Sequence, residues 1–345
     1  MMSRPRVSGR VLALLVSAYI LSVANLTFWH KALAGFDSTA GFIAFAVAAV
    51  ALFSGVMVAL SFRLLAKPVY GLLIAVAIPA AYFTDTFGTV IDSNMIDNVL
   101  ATTTGESSQF FTWPLLSRLL LLVCLPVALM VWANVEHPPF LHKLRTDGLL
   151  VITLLGLSAV LVAGNLADVR RAIQKDFHAL TATFNPSGPI SAAIKSLSRA
   201  YAMQGVVRTP VGRDAVLGDW IRRSDRPVLL VFVVGESARA MNFSLNGYAR
   251  QTNPELTRRG VLNFSNVTSC GTETGISVPC MFSGLPRVEF SKAKAQARQT
   301  LMDVFAHAGL STVWWDNDGG DKGAADNAEY RAFDTGTDPD FCQEG

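Results

Sequence analysis

The sequence predicts a bundle of five transmembrane helices followed by an α/β domain on the outer side of the membrane. Composition is the first reason. Of 345 residues, 51% are hydrophobic and only 16% charged, with a mean hydropathy of +0.38, whereas about a quarter of an average soluble chain is charged. Distribution is the second, because the apolar excess lies almost entirely before residue 170 and the two halves suit different solvents. The third is that apolar, β-branched stretches alternate with helix-like ones after residue 227. This composition argues against an ordinary soluble protein and against disorder. The net charge of +3, from 29 Lys and Arg against 26 Asp and Glu, is too small to indicate a nucleic-acid partner, and no basic stripe is interleaved with aromatics.

The apolar runs are Val11 to Trp29, Ala40 to Phe62, Val69 to Phe83, Leu115 to Trp132 and Leu149 to Asn165. Each meets or approaches the roughly 20 residues of helix that cross a hydrocarbon core. The third is the weakest, since Pro79 interrupts it and Thr84 and Asp85 close it. A cleaved signal peptide fits the first run poorly, because more spans follow at once and no small-residue cleavage site is evident. Orientation follows from the basic residues, which favour cytoplasmic loops. Arg4, Arg6 and Arg10 precede the first run, Arg63 and Lys67 follow the second, and Lys143 and Arg145 follow the fourth. All fall on one side, whereas the opposite loops hold Lys31 and then a stretch from Thr84 to Trp113 without Lys or Arg. The N-terminus is therefore expected inside and the second half outside, which for a bacterial chain is the periplasm.

In the long external loop Asn98, Thr102 and Glu106 recur every four residues, placing an amide, a hydroxyl and a carboxylate on one face of a helix. That face is either simply solvated or a polar ladder that grips a lipid headgroup. From Asp168 to about Arg226 the chain turns polar, with Arg170, Arg171, Lys175, Lys195 and Arg199 among scattered apolar residues and a turn at Asn185-Pro186-Ser187-Gly188-Pro189. It reads as a bridging segment on or near the bilayer, amphipathic or merely solvated.

Val228 to Val234 is a continuous apolar run, the pattern of a strand buried on both faces of a parallel sheet. It ends in Gly235-Glu236-Ser237, where ligands bind in open α/β sheets, although Glu236 also suits a plain helix N-terminus. A short strand (Val261 to Val267), a helix (Gln299 to His307, closed by Gly309) and another strand (Ser311 to Trp315) follow.

Thr268 to Cys280 carries several hydroxyls and two cysteines, Cys270 and Cys280. On the oxidising side of a membrane these can close a disulfide, worth roughly 3 kcal/mol in the chain-entropy model. The loop is then either a structural staple alone or a rigid seat for Thr274 at a helix N-terminus that favours phosphate. A threonine hydroxyl needs a base or a metal to ionise it. From residue 201 onward the sole histidine is His307, better placed for packing than catalysis. Zinc held by Glu236 and Thr274 is the chemistry these residues can support, with further ligands from elsewhere.

Val234-Gly235-Glu236-Ser237-Ala238-Arg239-Ala240, Asn246-Gly247-Tyr248, Cys270-Gly271-Thr272-Glu273-Thr274 and Ser277-Val278-Pro279-Cys280-Met281-Phe282-Ser283 resemble the membrane phosphoethanolamine transferases. This family modifies lipid A and includes the mobile colistin-resistance enzymes. The resemblance extends to the five spans, the Asn98, Thr102 and Glu106 ladder, and Trp315-Asp316-Asn317-Asp318-Gly319-Gly320-Asp321-Lys322-Gly323. It implies an alkaline phosphatase and sulfatase-like fold for the outer domain and an inner-membrane, periplasm-facing enzyme. It further implies Thr274 as the nucleophile that becomes phosphoethanolamine-modified, Glu236 and Thr274 as zinc ligands, and Cys270 paired with Cys280. Asn98, Thr102, Glu106 and Lys322 would contact the phosphatidylethanolamine donor, and the acceptor would be lipid A or another lipopolysaccharide group. Asp318 stands where many members have Asn, and Asp321 and Ala325 stand where many have a second disulfide.

The family pattern continues beyond Gly345 with an Asp-His pair for zinc, and Cys342 has no evident partner. The chain is therefore expected to be the N-terminal part of such an enzyme, either a truncated reading frame or a partial record. Its expected domains are 1–168 in the membrane, 169–226 bridging and 227–345 as the N-terminal part of the catalytic domain. Two other functions stay open: a related sulfatase-like phosphotransferase or hydrolase, and a non-catalytic membrane protein lacking the rest of the metal site.

Overall fold

The computed structural model describes residues 4–101, 110–136, 138–235, 238–316 and 320–332. The chain divides into two compact units, Met1–Ser198 and Arg199–Gly345.

In the first unit α1 (Gly9–Val23) starts at Ser8, whose hydroxyl accepts the Val11 N–H at 3.3 Å. The expected single run from Val11 to Trp29 is broken. α1 ends at Ala24, and α2 (Leu26–Gly35) leaves at 70° to it. The cause is Asn25, buried at the break. Its amide donates to the carbonyls of Ile20 and Asn185, and its Oδ1 accepts the Asn185 N–H at 2.8 Å; Asn185 Nδ2 donates to the Ala24 carbonyl at 2.8 Å. The turn before Pro186 thus satisfies the polar groups that a bend exposes in an apolar interior.

α3 (Thr39–Ala59) is capped by the Ser38 hydroxyl. α4 (Ala66–Phe87) outruns the expected Val69 to Phe83 and absorbs Pro79, ending at Gly88 with φ +68°. α5 (Ser93–Ala101) is begun by Asp92, whose carboxylate accepts the Asn94 and Met95 N–H groups. α6 (Trp113–Trp132) contains a wider turn at Leu120–Cys124. α7 (Phe140–Gly164) begins before the expected Leu149. Lys143, expected in a loop, is instead a buried helix residue that donates to Asp147 one turn on and to Ser61, each at 2.6 Å. Pairing inside the helix lets two charges enter an apolar segment.

Four of these helices are long and apolar enough to cross a membrane, and five spans result if the bent α1–α2 pair is one. Leu12, Val16, Ile20, Met57, Tyr70, Ile74 and Met130 form their common core. Leu120, Leu129, Val131, Ile152 and Val160 stay exposed, which is costly in water and favourable against lipid. Two short parallel strands, β1 (Arg6–Ser8) and β2 (Asn134–Glu136), join the chain before α1 to the chain after α6. Lys67 donates to the Val131 and Ala133 carbonyls at the end of α6, where free carbonyls and the helix dipole favour a cation. α8 (Leu166–Thr183) packs on α2 through Phe28, Ala32 and Leu180, so much of the segment expected as a bridge belongs to this unit. α9 (Ser187–Met203) follows.

In the second unit the expected strand at Val228 to Val234 is not a ladder strand, and it is not buried on both faces. Leu229 is 87% and Val233 82% exposed. Only alternate residues pack: Phe232 meets Phe282 edge-on at 5.9 Å, and Val234 joins the local core. Val261 to Val267, also expected as a strand, has no ladder, and Leu262 is 90% exposed. A strand needs partner backbones. Among the described residues of this unit, ladder pairing beyond one isolated bridge occurs only between β3 (Val313–Asp316) and β4 (Glu329–Ala332), parallel with Val313 opposite Glu329. Besides short helical turns at Asp219–Arg222 and Pro254–Arg258, this unit holds α10 (Thr274–Ser283), α11 (Lys292–Gln296) and α12 (Leu301–His307). α12 is closed at Gly309, φ +84°, as expected, and started by a capping box of Thr300 and Asp303.

Candidate functional site

Thr274 is the first residue of α10, half-buried and preceded by Glu273, whose carbonyl accepts the Ile276 and Ser277 N–H groups. The first amides of a helix have no carbonyl behind them and, with the helix dipole, favour an anion. The approach to this terminus is tightly held. Cys270 and Cys280 are joined by a disulfide with Cα atoms 6.3 Å apart, tying the entering chain to the second turn of the helix. Gly271 passes so close to Ile276 that a Cβ there would lie 2.9 Å from its side chain, so a larger residue would force the loop away from the helix. Pro279, Cys280 and Phe282 are buried beneath.

α10, the segment ending at Gly235 and the loop carrying Lys322 meet in one apolar cluster. Val278 and Phe282 come from the helix, Val234 from the segment, Ala324 from the loop, and Met302 and Trp314 from α12 and β3. Phe282 and Trp314 pack edge-on at 5.4 Å. The loop leaves β3 at Asp316, whose Oδ2 accepts the Gly320 N–H at 2.9 Å and the Tyr330 hydroxyl at 2.7 Å. Burial, then this bond and the Asp316 charge, push the Tyr330 hydroxyl up to about 12, so it stays protonated as a donor at neutral pH. Past Lys322, the Thr300 hydroxyl donates to the Ala324 carbonyl at 2.7 Å, and Arg208 pairs with Asp326. Asp321 and Ala325 are bridged by a hydrogen bond from the Ala325 N–H to Asp321 Oδ2 at 2.6 Å.

Asn98 lies on α5, in the other unit, and its neighbour Asp97 accepts the Ser196 hydroxyl of α9. Glu236, Thr102 and Glu106 lie outside the described residues. Sequence reasoning gave no role to Asp316, Asp321 or Tyr330. The glycines flanking Lys322 were the available sign of a special backbone, but which carboxylates support it depends on hydrogen bonds to main-chain amides. Among the described residues, no three His, Cys, Asp or Glu gather closely enough to hold a metal. Thr274 and Glu236 offer oxygens of the right type for zinc but fewer than its usual set.

A family model described as phosphoethanolamine transferase EptA/EptB matches residues 45–201, and a sulfatase model matches residues 229–344. The chain is 34% identical to phosphoethanolamine transferase EptA of Escherichia coli K12, over 100% of this chain and 64% of that protein. It is also 34% identical to the phosphatidylethanolamine transferase Mcr-1 of Escherichia coli, over 98% of this chain and 64% of that one. Among solved structures, the integral membrane lipooligosaccharide phosphoethanolamine transferase A of Neisseria meningitidis superposes with a TM-score of 0.84 at 26% identity, covering 98% of this chain and 64% of that chain. The chain thus spans somewhat less than two thirds of the length of these proteins.

Proposed function

Because the chain belongs to the family of membrane phosphoethanolamine transferases, we propose that it moves phosphoethanolamine from phosphatidylethanolamine to lipid A or another lipopolysaccharide group, with Thr274 as the relay. The observation that carries this reading is the convergence of the stapled Thr274 helix start and the Lys322 loop on one core. In the first step the Thr274 oxygen attacks phosphorus and the bond to the diacylglycerol oxygen breaks, with a proton passing to diacylglycerol. In the second, an acceptor phosphate hydroxyl oxygen attacks the same phosphorus, the bond to Thr274 breaks, and the acceptor's proton passes to the threonine oxygen.

The amides at the start of α10 and the Lys322 ammonium face growing negative charge on the phosphoryl oxygens, where fixed donors act most strongly. Thr274 and Glu236 would hold zinc as oxygen ligands. Bound there, it supplies the positive charge that ionises a hydroxyl and offsets phosphoryl charge. Asn98, Thr102 and Glu106 would take the donor's headgroup, with the carboxylate pairing the ethanolamine. Basic residues at Arg4, Arg6, Arg10, Arg63, Lys67 and Arg145 support a cytoplasmic N-terminus in the bacterial inner membrane and a periplasmic second unit; Lys143 adds nothing, being neutralised by Asp147.

The test is intact-mass and peptide mass spectrometry of the chain incubated with phosphatidylethanolamine vesicles. A phosphoethanolamine adduct on Thr274 is expected, and Thr274→Ala should abolish it. An adduct that survives in the variant, or none on the unaltered chain, overturns the assignment.

A further inference from the structure

Lys322 has φ +52°, a left-handed conformation that side chains other than Asn and Asp seldom adopt. The flanking Gly320 and Gly323 also have positive φ, +89° and +84°. The chain closes a small ring around this residue. Asp321 Oδ1 accepts the Gly323 N–H at 3.3 Å, Oδ2 accepts the Ala325 N–H at 2.6 Å, and the Asp321 carbonyl accepts the Ala324 N–H at 2.9 Å. Both ends of the ring are anchored. Asp316 holds the Gly320 N–H before it, while Ala324 and Ala325 are fully buried after it, with the Thr300 hydroxyl on the Ala324 carbonyl. A left-handed lysine persists only where its surroundings over-determine it, and such positions concentrate at ligand clamps.

We propose that Asp321 is a positioning residue: by holding the Gly323 and Ala325 amides, its carboxylate fixes the left-handed backbone at Lys322 and so places the lysine for a phosphoethanolamine group. This rests on the reading of Lys322 as a substrate contact. The side chain required is specific. A carboxylate has two acceptor oxygens for the two amides, Asn keeps one and turns an amide donor toward the other N–H, and Ala keeps neither.

The experiment is a titration of the full chain, reconstituted in lipid nanodiscs, with soluble O-phosphoethanolamine. It compares the unaltered chain, Lys322→Ala, Asp321→Ala, Asp321→Asn and the double variant Asp321→Ala with Lys322→Ala. Lys322→Ala should weaken binding about tenfold, as loss of one charge-assisted contact does, and Asp321→Ala should approach that loss. Asp321→Asn should fall between Asp321→Ala and the unaltered chain. The double variant should bind no more weakly than Lys322→Ala alone, because Asp321 acts through the lysine.

Unchanged binding in Asp321→Ala beside a loss in Lys322→Ala overturns the positioning role and leaves the lysine contact standing. Losses that multiply in the double variant also overturn it, since they make Asp321 act independently. Unchanged binding in Lys322→Ala, or no binding by the unaltered chain, removes the substrate contact and the positioning role together. If Asp321→Ala does not fold, Asp321→Asn carries the same cycle with the same outcomes.

Discussion

A single hydroxyl repairs the backbone of α6. Pro126 has no N–H for the Leu122 carbonyl one turn earlier, and the helix widens there, with the Leu125 N–H reaching back to Leu120. The Tyr19 hydroxyl, from α1, donates to that Leu122 carbonyl at 2.7 Å. In hydrocarbon no water can take its place. Tyr19→Phe should therefore lower the stability of the reconstituted chain by about 1 kcal/mol, read as an earlier unfolding midpoint with the fold intact; an unchanged midpoint would show that the carbonyl finds another donor. Asp303 has a comparable role in the outer unit. Burial acts to raise its carboxyl, but the Thr300 N–H, the Asn327 amide, the Thr300 hydroxyl and the Arg208 charge together hold it below the usual carboxylate range. A carboxyl depressed in the folded state contributes stability above its unfolded pKa and loses it as pH falls through the folded one. Thermal melts should show stability falling between about pH 4 and the lower folded value, and Asp303→Asn should flatten that acid slope while lowering stability at pH 7.

Elements differ in how far sequence alone reveals them. The apolar runs marked the long helices because a span is recorded in consecutive residues. α4 and α7 began earlier than hydropathy suggested because Lys67 and Lys143 find acceptors inside the unit. The bend between α1 and α2 had one local sign, Asn25 within an apolar run, but its partner Asn185 lies far along the chain. Asn25→Leu should leave the Asn185 N–H and carbonyl without their partner and remove one of the two donors on the Ile20 carbonyl at a buried joint. A cost of about 1 to 3 kcal/mol is expected, with faster amide exchange at the Asn185 turn than in α3. Equal protection in the variant and the unaltered chain would mean that packing alone holds the bend. The strands were the least legible, because Val228 to Val234 has strand composition whether or not another backbone lies beside it. At the site, the Thr274 seat was legible from local chemistry: two cysteines, small turn residues and a helix start. The Asp316 and Asp321 supports were not, since their bonds are to backbone amides that sequence does not distinguish.

For the whole molecule, whether the N-terminus and the second unit lie on opposite sides of the membrane depends on whether the bent α1–α2 pair counts as one crossing. The helices of α3, α4, α6 and α7 are each long enough alone, and four crossings would return the chain after α7 to the side on which α3 begins. If α1 and α2 together make a fifth, the N-terminus lies opposite the second unit. The charge bias favours the second arrangement, with Arg4, Arg6, Arg10 and Arg63 sharing a side. So does the β1–β2 pairing, which joins the N-terminal segment to the end of α6 near Lys67. The proposed transfer to lipopolysaccharide groups would need the second unit outside, and Cys270 and Cys280 form a disulfide that an oxidising compartment maintains. The arrangement predicts opposite labelling of two exposed positions. In a background carrying both Cys124→Ser and Cys342→Ser, Thr39→Cys should react with a membrane-impermeant maleimide added to intact spheroplasts, and Arg63→Cys should react only after permeabilisation. Labelling of Arg63→Cys from outside, or protection of Thr39→Cys until permeabilisation, would reverse α3 and place the second unit on the cytoplasmic side.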